Sequence, residues 1–268
     1  MANWDKISNR GTVEDRRGTA MGISAAGVTG VLFLMGVTYL LGGNPLSVLQ
    51  QVDVSQLQTQ TTNEQSTEYA GADSYEVFVS TVLGSTDAAW TGYFAAMNKS
   101  YQPPELVLFR GYTTSGCGGA QSAAGPHYCP PDQTIYLDET FFDELKNRLG
   151  GSNDDVAQAY VIAHEVGHHV QNLLGELGTS RSNEASIATE LQADCYAGLW
   201  AASIKDQQVL QPGEIQEALD AAAAVGDDHI QEITQGSIHK ESWTHGSSAE
   251  RVAAFTKGYD SGDFAACQ

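Results

Sequence analysis

The order of hydrophobic and polar positions divides the chain into an apolar run, a polar stretch and a long region with helix and strand periods. From Met21 to Leu41 no residue carries a charge. A helix of about 20 apolar residues spans a bilayer, and the glycines and small residues of this run are common in membrane helices. A cleaved signal would have a shorter apolar core and a small-residue exit, whereas Gly42-Gly43-Asn44-Pro45 follows here. The pattern predicts a transmembrane helix over 21–41. Residues 42–74 are predicted as a flexible linker, because a segment such as Gln56 to Thr67 lacks the large apolar side chains needed to bury itself.

Periodicity resumes at Tyr75. Val77, Phe78, Val82 and Leu83 predict one helix. A second is predicted to start at the capping residues Ser85-Thr86-Asp87 and to turn Trp90, Tyr93, Phe94 and Met97 inward until Pro103-Pro104 stops it. Leu106 to Phe109 predicts a buried strand, and a glycine-rich loop runs from Ser115 to Pro131. The strand expected over Thr134 to Asp138 is the candidate edge strand for holding an extended substrate by main-chain pairing.

Ser152 is the expected cap of a helix from about Asn153 to Leu174, closed by Gly175, with Val156, Ala159, Ile162, Val166 and Val170 on its apolar face. Further helices are expected from about Asn183, from Pro212, after Asp227-Asp228 and after Ser247-Ser248. The fold class is α+β: a mostly helical domain over 75–268 with a small sheet, preceded by one transmembrane helix.

Charge adds orientation. The chain's formal net charge is -20, so phosphate would be repelled and nucleic acid is excluded as a partner. Residues 1–20 run against this trend, with Lys6, Arg10, Arg16 and Arg17 against Asp5, Glu14 and Asp15. Positive residues directly before an apolar span predict a cytoplasmic tail over 1–20. The domain then lies extracytoplasmic (periplasmic), held by a single pass through the cell (inner) membrane. Cys117, Cys129, Cys195 and Cys267 form an even set that suits such an oxidising compartment. Four cysteines allow three pairings. Cys117–Cys129 would close a short loop, and Cys195–Cys267 would tie the C-terminal end to a helix.

The candidate chemistry lies on the helix after Ser152. His164-Glu165-Val166-Gly167-His168 places two imidazoles four residues apart on one helical face, with a carboxylate beside the first. That spacing suits one Zn2+ per chain held by His164 and His168, with Glu165 as general base. Gly167 leaves room for another element to approach, and His169 points about 100° away, to the surface or to the groups behind the ligands. An open catalytic site needs a third protein ligand. Glu190 and Asp194, again four apart, predict a ligand and a carboxylate that accepts a hydrogen bond from a ligating histidine. His245, ahead of the Ser247-Ser248 cap, is the candidate donor to an oxyanion, with Arg251 as the alternative or as a group that orients a carboxylate. His229 and His239 have no partner at metal spacing.

These residues resemble a known family, the membrane-anchored bacterial neutral zinc metallopeptidases of the YpfJ-like type. The resemblance rests on Val13 to Gly18, Gly125-Pro126-His127-Tyr128-Cys129-Pro130, Ala159 to Gln171, Glu190-Leu191-Gln192-Ala193-Asp194-Cys195, Gly226-Asp227-Asp228, and Thr244-His245-Gly246-Ser247 leading to Arg251. Ile238-His239-Lys240-Glu241 departs from the family pattern, in which a proline is common. The resemblance implies a zincin-like fold with a glutamate as third ligand. The expected activity is zinc-dependent hydrolysis of a protein or peptide in the envelope. The alternative is an envelope scaffold or assembly factor with a structural or latent zinc site.

Overall fold

The computed structural model describes residues 1–18, 73–122, 125–178 and 182–268. The predicted span 21–41 and nearly all of the predicted linker lie outside the described residues. Among the described residues no helix is long and apolar enough to cross a membrane.

Residues 1–16 and 71–268 form one compact unit of mixed α+β architecture. Its sheet has the order β1 (Val13–Asp15), β2 (Glu105–Phe109), β6 (Thr134–Asp138), β5 (His127–Cys129). β1, β2 and β6 run parallel, and β5 is antiparallel to β6. Leu106, Leu108, Ile135 and Leu137 face the main helical core. Val107, Phe109 and Tyr136 face the other way and pack with Ala120 and Cys129. Ala120 belongs to a hairpin of β3 (Tyr112–Ser115) and β4 (Gly118–Gln121). Strands covered on both faces read as continuous apolar runs, which is why Leu106 to Phe109 is unbroken. The hairpin and β5 lie largely within the stretch expected to be a glycine-rich loop.

Helix α1 (Ser74–Ala96) is continuous where two helices were expected. Ser85 and Thr86 are buried and donate their hydroxyls back to the carbonyls of Val82 and Leu83, both at 2.6 Å. Mid-helix hydroxyls that bond backwards in this way do not cap a new helix. A short helix α2 (Phe141–Asn147) leads to α3 (Asp155–Leu174). Asp154, not Ser152, is the extended residue that precedes α3; Ser152 Oγ instead accepts from the Asp154 amide at 3.0 Å. The helix ends as expected at Gly175, with φ 75°.

Helix α4 (Asn183–Ser203) starts where the sequence places it, with Ser182 Oγ accepting from the Ala185 amide. α5 (Ile215–Ala224) begins after Pro212 rather than at it, because Gly213 adopts φ +93° and breaks the helical path. α6 (Asp227–Gln235) follows Gly226, and α7 (Ser248–Ser261) has a full capping box between Ser247 and Glu250. α3 is buried along nearly its whole length, against α1, α4 and α5. The disulfides Cys117–Cys129 and Cys195–Cys267 are both formed.

The first residues are not a separate tail. β1 belongs to the sheet, and the Trp4 ring stacks on Trp200 with centroids 6.5 Å apart. The sequence reading set residues 1–20 apart because they are basic and precede an apolar run. A parallel strand partner far along the chain leaves no local trace in that pattern.

Candidate metal centre

Three elements meet at the site. α3 supplies His164, Glu165 and His168, α4 supplies Glu190 and Asp194, and α7 supplies Arg251. α3 and α4 approach closely at Gly167, where a Cβ would lie 2.9 Å from the Ala193 carbonyl oxygen. The missing side chain thus brings the second helix's carboxylates within reach of the histidines, as the sequence suggested.

The ligand atoms of His164, His168 and Glu190 lie within 4.8 Å of one another. Glu190 Oε2 is 3.2 Å from His164 Nε2, and Oε1 is 3.5 Å from His168 Nε2. Both Nδ1 atoms are committed elsewhere. His164 Nδ1 donates to Asp194 Oδ1 at 2.8 Å, and His168 Nδ1 donates to Gln171 Oε1 at 2.9 Å. Gln171 is held by donating Nε2 to Thr189 O and Gln192 Oε1. With each Nδ1 bonded to its own acceptor, both Nε2 atoms face Glu190 and are the positions that would turn to a metal ion once deprotonated. Two oriented imidazoles and a carboxylate are the donor set expected of a catalytic zinc site with one position left open.

Asp194 has no solvent exposure. It accepts from Arg251 Nε at 2.8 Å and Nη2 at 3.0 Å, from Tyr160 Oη at 2.6 Å and from His164. Burial opposes its charge, but Arg251 and His164 hold its pKa down at about 2. In the metal-free protein burial would lower the His164 pKa, yet Asp194 and Glu190 outweigh it and raise it to about 10. Burial likewise works against Glu190, and the two histidines hold it well below its usual range. Arg251 thus orients a carboxylate, one of the two roles the sequence left open; its Nη1 bonds Val225 O at 3.3 Å. Tyr160 and Gln171 were not singled out. Gln171 was discoverable, being three residues beyond His168 on the same helix face.

The donors open into a cleft of about 590 Å³ that Glu165, His127 and His245 also line. Among the described residues no side chain bonds the Glu165 carboxylate, so it remains available to the cleft. His245 is half exposed and sits at the cleft wall. Its position is set by Asp227, whose Oδ2 accepts from the amides of Thr244, His245 and Gly246 at 2.7, 2.6 and 3.1 Å and whose Oδ1 lies 3.2 Å from Nδ1. Asp227 is therefore a loop anchor as well as part of α6.

The strand beside the cleft is β5. The expectation of an edge strand over Thr134 to Asp138 is corrected: β6 lies between β2 and β5, with pairing on both sides. β5 is the sheet edge, and His127 and Tyr128 line the cleft. His169 fixes this strand to α3. It is fully buried, donates Nε2 to Gln102 O at 2.6 Å and accepts at Nδ1 from Tyr128 Oη at 3.0 Å. Tyr128 Oη in turn accepts from Asn172 Nδ2 at 2.9 Å. Burial lowers the His169 pKa, consistent with this neutral tautomer.

Residues 2–268 match the family described as "Putative neutral zinc metallopeptidase". The chain is 41% identical to "Uncharacterized protein YpfJ" of Escherichia coli K12, covering 98% of this chain and 97% of that protein. It is 46% identical to an uncharacterized protein of Mycobacterium tuberculosis over 67% of this chain and 65% of that one. No solved structure matches the chain.

Proposed function

The chain belongs to the neutral zinc metallopeptidase family, and from that premise we propose that it hydrolyses peptide bonds with one zinc ion held by His164, His168 and Glu190. The observation that carries this reading is the convergence of two Nδ1-pinned imidazoles and Glu190 beside an open cleft. The geometry supports reading this as a zincin-like site with Glu190 as third ligand. When bound, zinc would act as a Lewis acid and lower the pKa of water toward about 7. Glu165 takes a proton from the attacking water and delivers it to the leaving amine. His245 donates to the oxyanion from the cleft wall, and Asp227 fixes its imidazole. An extended peptide pairs with β5, whose outer edge no strand occupies among the described residues.

The disulfides support an oxidising compartment, so the substrates are envelope or extracytoplasmic peptides. The uncharged stretch 21–41 supports membrane association. A purely structural zinc would be closed by four protein ligands, whereas three donors and a cleft favour catalysis here. The test is Glu165→Gln: zinc content should remain stoichiometric while cleavage of a mixed-peptide substrate is lost. Normal cleavage by that variant would overturn the mechanism.

A further inference from the structure

We propose that residues 1–16 occupy the same compartment as the metal site, rather than the opposite side of a membrane from it. This inference does not depend on catalysis. It rests on how the N-terminal residues are built into the unit and on where disulfides form.

The N-terminal residues are bound along their length. The Ala2 amide and Trp4 Nε1 both donate to Asp155 Oδ2 at 2.8 Å, at the start of α3. The Asn3 amide donates to Val209 O at 2.7 Å. Trp4 lies against Phe78 and Trp200, and Ile7 is buried in the main core. The Gly11 amide donates to Ser80 O at 2.7 Å, and Ser80 Oγ returns a bond to Gly11 O at 2.8 Å. Two glycines make this contact possible. A Cβ on Gly84 would sit 2.5–2.7 Å from the backbone of Asn9 and Arg10, and one on Gly11 would collide with the Leu83 side chain. Val13, Glu14 and Asp15 then pair with Leu106, Val107 and Leu108 in a parallel ladder.

A bilayer core about 30 Å thick cannot lie between two strands of one ladder, whose spacing is about 4.8 Å. If residues 1–16 were cytoplasmic and the rest extracytoplasmic, β1, the Trp4–Trp200 stack and both bonds to Asp155 would be lost together. The opposite choice, with the whole unit cytoplasmic, would put both disulfides in a reducing compartment. The positive charge that argued for a cytoplasmic tail also has a second use. Arg16 donates to both Glu14 carboxylate oxygens at 2.8 and 2.7 Å and to Thr114 O at 3.2 Å. Its charge is matched within the fold, and it fixes the end of β1. Positive flanking residues orient a span only when a span separates them from the domain.

The experiment uses the full chain in a host with an oxidising periplasm. Ser8→Cys and, separately, Asp260→Cys place single exposed thiols on the N-terminal segment and on α7. Each is treated with a membrane-impermeant maleimide in spheroplasts and in inverted vesicles, with a detergent-denatured sample as the total. Both thiols should label in spheroplasts and be protected in inverted vesicles. Labelling of Ser8→Cys only in inverted vesicles, with Asp260→Cys labelled in spheroplasts, would overturn the proposal. So would protection of Ser8→Cys in both preparations. A second measurement guards the premise. Trp4→Ala in the intact protein should lower Tm by about 5 °C or more, and an unchanged Tm would mean that the N-terminal residues are not docked.

Discussion

Asp194 offers the most direct test of how the metal centre is held. Asp194→Asn keeps the shape of the side chain and removes its charge. The carboxylate accepts from four donors: Arg251 Nε and Nη2, Tyr160 Oη and His164 Nδ1. An amide has one oxygen to accept and an NH2 that must face a donor. If the amide oxygen keeps His164 and Tyr160, the NH2 meets Arg251 Nε, and the guanidinium is left with an uncompensated charge at 4% exposure. Breaking a buried pair from one side costs about 3–5 kcal/mol. In a domain of this size that corresponds to a fall in Tm of about 6–20 °C. Loss of the carboxylate behind a ligating histidine should weaken zinc binding about 10–100-fold. The assay is thermal unfolding in excess chelator, paired with zinc competition against a chromophoric chelator at a temperature where the variant is folded. A Tm change below about 2 °C together with unchanged zinc affinity would refute the claim that Asp194 couples Arg251 to the metal ligand.

Metal-free protein should show a pH dependence set by His164, whose pKa is raised to about 10 in the fold. A raised pKa gives stability that is complete below the ordinary histidine value near about 6.5 and is lost as pH rises through about 10. Its Tm should therefore fall across that interval while the gain on adding zinc grows, because zinc replaces the proton; a pH-independent gain would contradict the assignment. At the acid end, the depressed Asp194 pKa of about 2 predicts a further loss as pH falls from about 3.8 through about 2, read by the same unfolding assay. The disulfides should differ in weight. Loop entropy gives about 4 kcal/mol for Cys195–Cys267 and about 3 kcal/mol for Cys117–Cys129, with sequence separations of 72 and 12. Paired Cys→Ser variants in urea unfolding should rank in that order.

What the sequence carried about this site follows from distance along the chain. His164, Glu165 and His168 share one helix with an apolar face and a glycine stop, so local pattern placed them. Glu190 and Asp194 were legible through their own four-residue spacing on a second helix. Tyr160 and Arg251 complete the Asp194 cluster from positions 34 and 57 residues away from it. Arg251 was legible only as a candidate for orienting some carboxylate, and although Tyr160 lies one turn before His164, no local period ties either residue to Asp194 itself. β3 and β4 escaped for a different reason. Between them only Thr113 and Ala120 are buried, so the hairpin has almost no hydrophobic alternation to read. β5 is three residues long, below the length at which a strand pattern can be distinguished. The packing of the N-terminal residues into the main unit escaped because their charge and the apolar run beside them gave a strong local reading, while their partners lay far along the chain.

One part of the site looks purely architectural. α4 and α7 touch backbone to backbone at two glycines. A Cβ on Gly198 would collide with Phe255 O, and one on Gly258 would collide with Cys195 O. Asp194 lies one turn before Gly198, and Arg251 two turns before Gly258, so this crossing sets the length of the Arg251–Asp194 pair. Gly198→Ala adds one methyl group where no side chain can move aside, since the obstacle is a carbonyl of the facing helix. Overpacking of this kind costs about 1–3 kcal/mol, against an intrinsic helical gain from Gly to Ala of about 1 kcal/mol. The control is Gly92→Ala in α1, an exposed helical position with nothing within 4 Å of the new Cβ, which should show only the gain. Gly198→Ala should also weaken zinc binding, because a displaced α7 draws Arg251 away from Asp194 and loosens His164. If Gly198→Ala raised Tm as Gly92→Ala does and left zinc affinity unchanged, the helix crossing would not be what positions the metal ligand.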